Sequence, residues 1–344
     1  MGKNKTSSTK RRWLIAAGII LLIIIILAGW CAYKALSGYH GDEVRIFIPS
    51  GATAEQVGDT LRTRLGDSFG SKVYDIWKMQ GGRPEVAHGS YVVEPGMKAA
   101  ALSRRIFYGR QTPLKFTFNN IRTMSALAER AGTKLEFSAS DFLAACDSVL
   151  PASGYSPQAY PAAFVPDTYE LYWTTSPAET VKKLVGARDR FWTGTRREQA
   201  SLLGLTPVEA ATIASIVEEE TAKADERPAV ARLYINRLDK KMRLQADPTV
   251  KFAVGDFSLR RITGRHLKTL SPYNTYINAG LPPGPIRIAS QAAIDAVLNA
   301  PEHDYLYMCA KEDFSGYHNF AADYAAHMAN ARRYQAALDR RGIK

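Results

Sequence analysis

The sequence predicts an α+β protein in three parts: an N-terminal transmembrane helix, a small α/β module and a larger α+β domain. Three observations carry this reading. Residues 13–33 form an uncharged apolar run, two strand-then-helix units follow between residues 43 and 110, and helix-start signals recur from residue 113 to the end. With 344 residues, 46% hydrophobic and 23% charged, the chain can bury the cores of two ordinary globular domains.

The run over 13–33 is dominated by Leu and Ile, and its 21 positions, at about 1.5 Å each, cross a hydrocarbon core of roughly 30 Å. It is longer than a signal-peptide core and no small-x-small cleavage site follows it. Trp13, Trp30 and Tyr33 sit where interfacial aromatics belong, so the helix is expected to be retained. Residues 1–12 carry Lys3, Lys5, Lys10, Arg11 and Arg12, whereas Lys34 alone stands close behind the run. The positive-inside rule therefore makes residues 1–12 a cytoplasmic basic leader and places residues 35–344 outside. Cys31 follows the bulky Trp30, which a lipoprotein cleavage site would not tolerate, and reads as a buried thiol within the helix.

In the module, Val44, Ile46 and Ile48 alternate with Arg45 and Phe47 as in a strand, and Pro49-Ser50-Gly51 turns the chain. Thr53-Ala54-Glu55-Gln56 then offers a capping box for a helix carrying Val57 and Leu61. A similar unit follows: Ser90-Tyr91-Val92-Val93, a Pro95-Gly96 turn, and helical spacing of Leu102 and Ile106 stopped at Gly109. These units span residues 43–110.

The larger domain, residues 113–344, opens with Leu114, Phe116 and Phe118 in strand alternation and a helix through Leu127 ending at Gly132. Residues 151–176, rich in Pro, Tyr, Ser and Ala, read as an irregular aromatic-lined stretch. Ser176-Pro177-Ala178-Glu179 starts the next helix, and Thr206-Pro207-Val208-Glu209 repeats the signal, with Thr as N-cap and Pro in the first turn.

On that last helix Ile213, Ile216 and Val217 define an apolar face, and Glu220, four after 216 and seven after 213, falls within it. Glu218 and Glu219 point away. A carboxyl on such a face is desolvated, which lifts its pKa toward that of a general acid near neutral pH. The bland reading pairs Glu220 with Arg227, Arg232 or Arg237, and spacing alone weighs the two equally.

Of the net charge of +12, five units belong to the leader, leaving about +7 for the rest. Such a body could meet nucleic acid, anionic lipid or an acidic polymer, and no nucleic-acid motif favours the first. Three cysteines without CxxC spacing argue against a metal centre, and no cofactor is expected. Asp247 before Pro248 and Thr249 reads first as a helix N-cap, Gly280 to Pro285 as a rigid loop able to floor a cleft, and His318 and His327 as structural or surface residues.

Several stretches together resemble one family. They are Ala214-Ser215-Ile216-Val217-Glu218-Glu219-Glu220-Thr221, Ile235-Asn236-Arg237-Leu238, Met242 through Val250 with its Gln245-Ala246-Asp247-Pro248-Thr249 core, Tyr273-Asn274-Thr275-Tyr276, and Gly280 through Ile286. Pro166-Asp167-Thr168-Tyr169 and His318-Asn319-Phe320 are further echoes, all in one order over residues 160–330. The chain resembles endolytic murein transglycosylases of the MltG/YceG type. It departs from their pattern after Ile286, where Arg287-Ile288-Ala289-Ser290 replaces an Asn-Pro-Gly-like turn.

The resemblance implies a bacterial inner-membrane lytic transglycosylase with a LysM-like module at 43–110 and a periplasmic catalytic domain at 113–344. Its substrate would be peptidoglycan glycan strands and its partner a peptidoglycan synthase. Glu220 matches the family's catalytic acid, which protonates the oxygen leaving N-acetylmuramic acid and then, as carboxylate, accepts the proton of that sugar's C6 hydroxyl as a 1,6-anhydro ring closes. Glu218 reads either as a hydrogen-bond partner of Glu220 or as a solvated acid. Gln245, Asn274 and Tyr276 are candidate sugar contacts, each as open to a turn or core role. Two other functions compete: a non-catalytic glycan-binding scaffold of the wall-synthesis machinery, and a pyridoxal-phosphate lyase, against which stands the lack of a Gly-rich phosphate loop.

Overall fold

The structure, a computed structural model, describes residues 5–259 and 261–342. Lys3 of the basic leader lies outside the described residues. The chain divides into two compact units, residues 1–114 with 170–175, and residues 115–169 with 176–344.

The first unit begins with α1 (Lys5–Leu36). Its stretch Lys10–Leu36 is long and apolar enough to cross a membrane. The helix outruns the uncharged 13–33 segment at both ends, since Lys, Arg and Ala are strong helix formers. Its Leu and Ile side chains over residues 19–27 are more than half bare, the mark of a helix that is apolar on every side and has no protein layer to bury it. Cys31, expected to be buried, is partly exposed here.

Behind α1, β1 (Val44–Ile48) and β2 (Gly89–Val93) pair antiparallel with Ile46 opposite Tyr91. Between them lie α2 (Ala54–Leu65), α3 (Asp67–Met79) and the short α4 (Pro84–Ala87), and α5 (Ala99–Phe107) follows. Thr53 and Gln56 form the expected capping box of α2. The plain strand-helix repeat leaves out α3, which puts Phe69, Val73 and Trp77 of one face into the core with Ile46, Ile48, Leu61, Tyr91 and Leu102. Gly70 lets α3 ride on α2: a Cβ there would stand 2.4 Å from the Leu61 carbonyl oxygen.

The remaining elements are β3 (Leu114–Phe118), α6 (Met124–Gly132), α7 (Ala139–Val149), β4 (Asp167–Leu171), α8 (Pro177–Phe191), α9 (Thr195–Leu202), α10 (Pro207–Glu220), α11 (Arg227–Asp239), α12 (Asp247–Val254), α13 (Gln291–Leu298), β5 (Tyr307–Ala310), β6 (His318–Ala321) and α14 (Tyr324–Arg340). The stretch 151–176, expected to be irregular, contains two 3-10 helices, Pro151–Ser153 and Pro157–Ala163, and the strand β4, paired with β3. Prolines at 151, 157 and 161 keep its first half from forming an α-helix.

The second unit is built around α10. Every residue from Ala210 to Val217 is buried, so this helix is apolar all round where the sequence shows only a face. It packs against α11 and α13, with Ile213, Ile216, Val230, Leu233, Ile294 and Val297 at the contact. Small Ala210, Ala211, Ala214 and Ser215 let neighbours approach closely. The β5–β6 hairpin, antiparallel with Cys309 opposite Asn319, completes the part of the unit that matters for the site.

Candidate active site

The capping box of α10 is fully formed: Thr206 Oγ1 accepts from the Glu209 N–H at 3.2 Å, and the Glu209 carboxylate accepts from the Thr206 N–H at 2.8 Å. The helix phase is thereby set, and Glu220 emerges at its last turn beneath fully buried Ile213, Ile216 and Val217. The residue is partly buried, while its Oε2 atom is sealed from solvent and has no hydrogen-bond partner among the described residues. Burial is the main cause that pushes the Glu220 carboxyl up to about 7, and the negative charge of Asp247 adds to it. His318, the Tyr234 hydroxyl and Arg237 pull the other way.

Glu220 opens into a chiefly polar cleft of about 240 Å³. Tyr234 and Arg237, one turn apart on α11, face it together with Gln245 and Asp247 at the start of α12, Tyr276 from the following loop, and Met308, Cys309 and His318 from the β5–β6 hairpin. Burial raises the Tyr234 hydroxyl well above its ordinary pKa, with the Glu220 charge second, so it stays a donor. Arg237 is fixed from behind: its Nε donates to the Leu306 carbonyl and its Nη1 to that of Leu244 at 2.7 Å. Among the described residues, no ion pair joins Glu220 to Arg227, Arg232 or Arg237, and Arg232 instead lies 4.0 Å from Glu302.

Of the residues singled out by sequence, Glu220, Gln245 and Tyr276 share the cleft. Gln245 reaches it with a left-handed backbone, φ 50°, its N–H donating to the Thr275 carbonyl. Asn274 lies elsewhere, 0% exposed: its Nδ2 donates to the Leu267 and Thr269 carbonyls and its Oδ1 accepts from the Tyr276 N–H. It shapes the loop that presents Tyr276. Glu218 is outside the cleft too, accepting from the Ser290 N–H at 3.1 Å and lying 3.3 Å from Arg287 Nε.

Three readings are corrected. Asp247 is not an N-cap: the helix starts at Asp247 itself with Ala246 as cap, and its Oδ1 accepts from the Tyr276 hydroxyl at 2.7 Å. His318 is no surface residue, because its Nδ1 lies 2.8 Å from Glu226 Oε2 and its ring lines the cleft. The loop from Gly280 to Pro285 does not floor the cleft. It packs behind α10, where Gly284 sits so close to the Gln158 backbone that a Cβ would fall 2.0 Å from its oxygen, and the Ile286 N–H donates to Ser215 Oγ. Sequence reasoning names Arg237 only as a possible ion-pair partner of Glu220 and misses Tyr234 and Glu226. The one signal for Tyr234 and Arg237 is their three-residue spacing around Ile235-Asn236, which puts both on one helix face.

Comparison with known proteins places this geometry in context. The profile of the YceG-like family matches residues 46–333. The chain is 45% identical over 102 residues to an endolytic murein transglycosylase of Bacillus subtilis, covering 30% of this chain and 28% of that protein. It is 33% identical over 152 residues to one of Streptococcus pneumoniae, covering 42% and 27%. The matched stretches thus span little more than a quarter of these relatives. A crystal structure of a YceG-like protein from Listeria monocytogenes superposes with a TM-score of 0.55 at 25% identity, covering 84% of this chain and 98% of that one.

Proposed function

The chain belongs to the YceG-like family, and from that premise we propose that it is a membrane-anchored endolytic transglycosylase cutting the MurNAc-β-1,4-GlcNAc bond inside peptidoglycan strands. The observation that carries the reading is Glu220: a carboxyl lifted to about 7 in a polar cleft, able to stay protonated near neutral pH and so to act as a general acid. It gives its proton to the leaving O4. The nucleophile is the substrate's own C6 hydroxyl, so no carboxylate is needed to activate water.

Around the acid, Tyr234 lines the same cleft, and Tyr276, anchored by Asp247, offers a ring and a hydroxyl to a sugar. The Asp247 carboxylate faces the cleft where positive charge develops at C1, suited to an oxocarbenium-like state. Gln245 presents an amide for an N-acetyl group. Asn274 and Glu218 act at a distance, through the Tyr276 loop and the α10 terminus respectively. A LysM-like glycan-binding role for residues 43–110 accords with the compact β1–β2 pair and its helices. Anchored through α1 with the cleft on the periplasmic side, beside a synthase, the enzyme would end nascent strands.

Mass spectrometry of defined glycan strands tests the reading. Wild type is expected to leave 1,6-anhydro-N-acetylmuramic acid ends, lighter by one water than hydrolysed ends, and Glu220→Gln none. Reducing ends from the wild type would make the protein a hydrolase, and no cleavage at all would leave it a glycan-binding scaffold.

A further inference from the structure

Beside the cleft lies a smaller cavity of about 50 Å³ that the breaking of the glycosidic bond does not use. Arg122, Glu219, Pro248, Lys251 and Phe257 line it. It shares its wall with the cleft, since Glu219 precedes Glu220 on α10 and Pro248 follows Asp247 on α12. Successive helix residues point about 100° apart, so the two cavities open on neighbouring sides of one helical turn, within its width of roughly 10 Å.

The small cavity has an excess of positive charge and an aromatic side. The Arg122 guanidinium stands 4.7 Å from the Phe257 ring centroid, and its Nη2 donates to Glu219 at 2.6 Å. Arg287 Nη1 donates to Glu219 at 2.6 Å too, and its Nε lies 3.3 Å from Glu218. The two guanidinium groups thus offset the two carboxylates. Lys251, one turn along α12 from Pro248, is partly buried and has no side-chain hydrogen bond or ion pair among the described residues. Its ammonium is the charge in excess, and an anionic oxygen placed in the cavity would gain a charge-assisted hydrogen bond from it. The volume is too small for a sugar ring and suits a group of carboxylate size.

A peptidoglycan strand carries such a group near the bond to be cut. The lactyl ether on C3 of N-acetylmuramic acid bears a short peptide whose second residue is a D-glutamate linked through its side chain, which leaves the α-carboxylate free. The lactyl unit and the first amino acid, at about 3.5 Å each, put that carboxylate roughly 7–10 Å from the sugar, the width of the wall between the two cavities.

We infer that Lys251 is a specificity-determining residue that takes the free carboxylate of the stem peptide, so that the enzyme reads a strand by its peptide as well as by its sugars. The inference rests on the glycan-cleaving reading above.

The test gives the full-length chain in detergent three sets of uncrosslinked strands of equal length. One bears stem peptides with D-glutamate, one bears the same peptides with that carboxylate amidated, and one has been stripped of peptide by an amidase. Wild type is expected to show a kcat/KM about tenfold higher on the carboxylate strands than on the other two, through KM rather than kcat. In Lys251→Met that preference should fall to about unity, and Lys251→Arg, which keeps the charge, should restore most of it. Arg122 is left in place because it also holds Glu219. The inference is overturned by wild type treating the three sets alike, by a preference for peptide that survives amidation, or by Lys251→Met keeping the tenfold ratio, as it would if the lysine only supported the fold. Wild type that leaves no 1,6-anhydro ends on any set would instead strike the reading beneath. The inference would then be decided by fluorescence anisotropy of labelled strands on Glu220→Gln with and without Lys251→Met, where the same tenfold ratio should appear in Kd and disappear with the lysine.

Discussion

Glu220 is useful for the reason that it is uncomfortable. In the unfolded chain a glutamate titrates near its ordinary value of 4.5, whereas burial and Asp247 raise it to about 7 in the fold. The folded state therefore holds the proton more tightly. The stability this confers is fully present below about 4.5 and is lost as pH rises through about 7, each tenfold gain in proton affinity contributing about 1.4 kcal/mol. Glu220→Gln should accordingly melt higher than wild type at pH 8 and level with it at pH 4. Thermal unfolding at the two pH values checks this, and an equal difference at both would sink it. In the proposed reaction the same proton goes to the leaving oxygen, so initial rates of strand cleavage should decline as pH rises through about 7, and a rate that stays flat to pH 9 would exclude Glu220 as the acid. Glu220 was legible in the sequence because its placement needs only the phase of one helix, fixed by Thr206 and the Ile213-Ile216-Val217 face. Tyr234, Asp247 and His318 were not, because they arrive from α11, α12 and the β5–β6 hairpin, and no local pattern records that these elements meet.

At the scale of the element, what holds the end of α10 in place is a cluster of opposite charges. Arg287 Nη1 donates to Glu219 at 2.6 Å, its Nη2 to Asn120 Oδ1, and its Nε lies by Glu218, while Arg122 Nη2 also donates to Glu219. Three acids at a helix C-terminus oppose the macrodipole, and two of them are here neutralised by guanidinium groups. The departure from the family pattern after Ile286 thus supplies the residue that anchors the α10 terminus. With Arg287 only 7% exposed, Arg287→Met would leave two carboxylates poorly compensated and should cost about 3 kcal/mol, read as a shift of the urea midpoint. A loss below about 1 kcal/mol would show that the α10 terminus is held by packing alone. Glu219→Gln should lose stability by the same route and keep cleaving, since Glu219 turns away from the cleft. The start of α10 was readable because its capping box is four consecutive residues. The start of α12 was misread because Asp-Pro-Thr has the form of an N-cap, yet the Tyr276 hydroxyl claims the Asp247 carboxylate and the helix begins one residue early. Strand β4 was hidden for a related reason: its residues are mostly exposed, so Asp167-Thr168-Tyr169-Glu170-Leu171 shows no buried alternation.

Over the whole molecule, the distribution of apolar surface and of charge decides where the cleft works. The α1 segment leaves Leu and Ile bare along its length, a contiguous apolar surface of the kind that suits a lipid surrounding on every side. The proposed orientation then follows from charge. Lys10, Arg11 and Arg12 lie at one end of the span, while Lys34 at the other is engaged with Asp75 of α3. The proposed chemistry, which needs only a carboxyl and the substrate's own hydroxyl, suits a compartment without nucleotide cofactors, since every proton it moves is returned. Alkaline phosphatase fused after Lys344 is therefore expected to be active in intact cells. Replacing Lys10, Arg11 and Arg12 by Gln while adding three Lys after Ser37 should invert the span and silence the phosphatase. The cleft would then be carried to the cytoplasm, and cells relying on this chain should accumulate overlong glycan strands although the protein still melts normally. A fusion that is inactive before the charges are moved, or that stays active after the exchange, would overturn the orientation, because the charge difference between the two ends is what that orientation rests on.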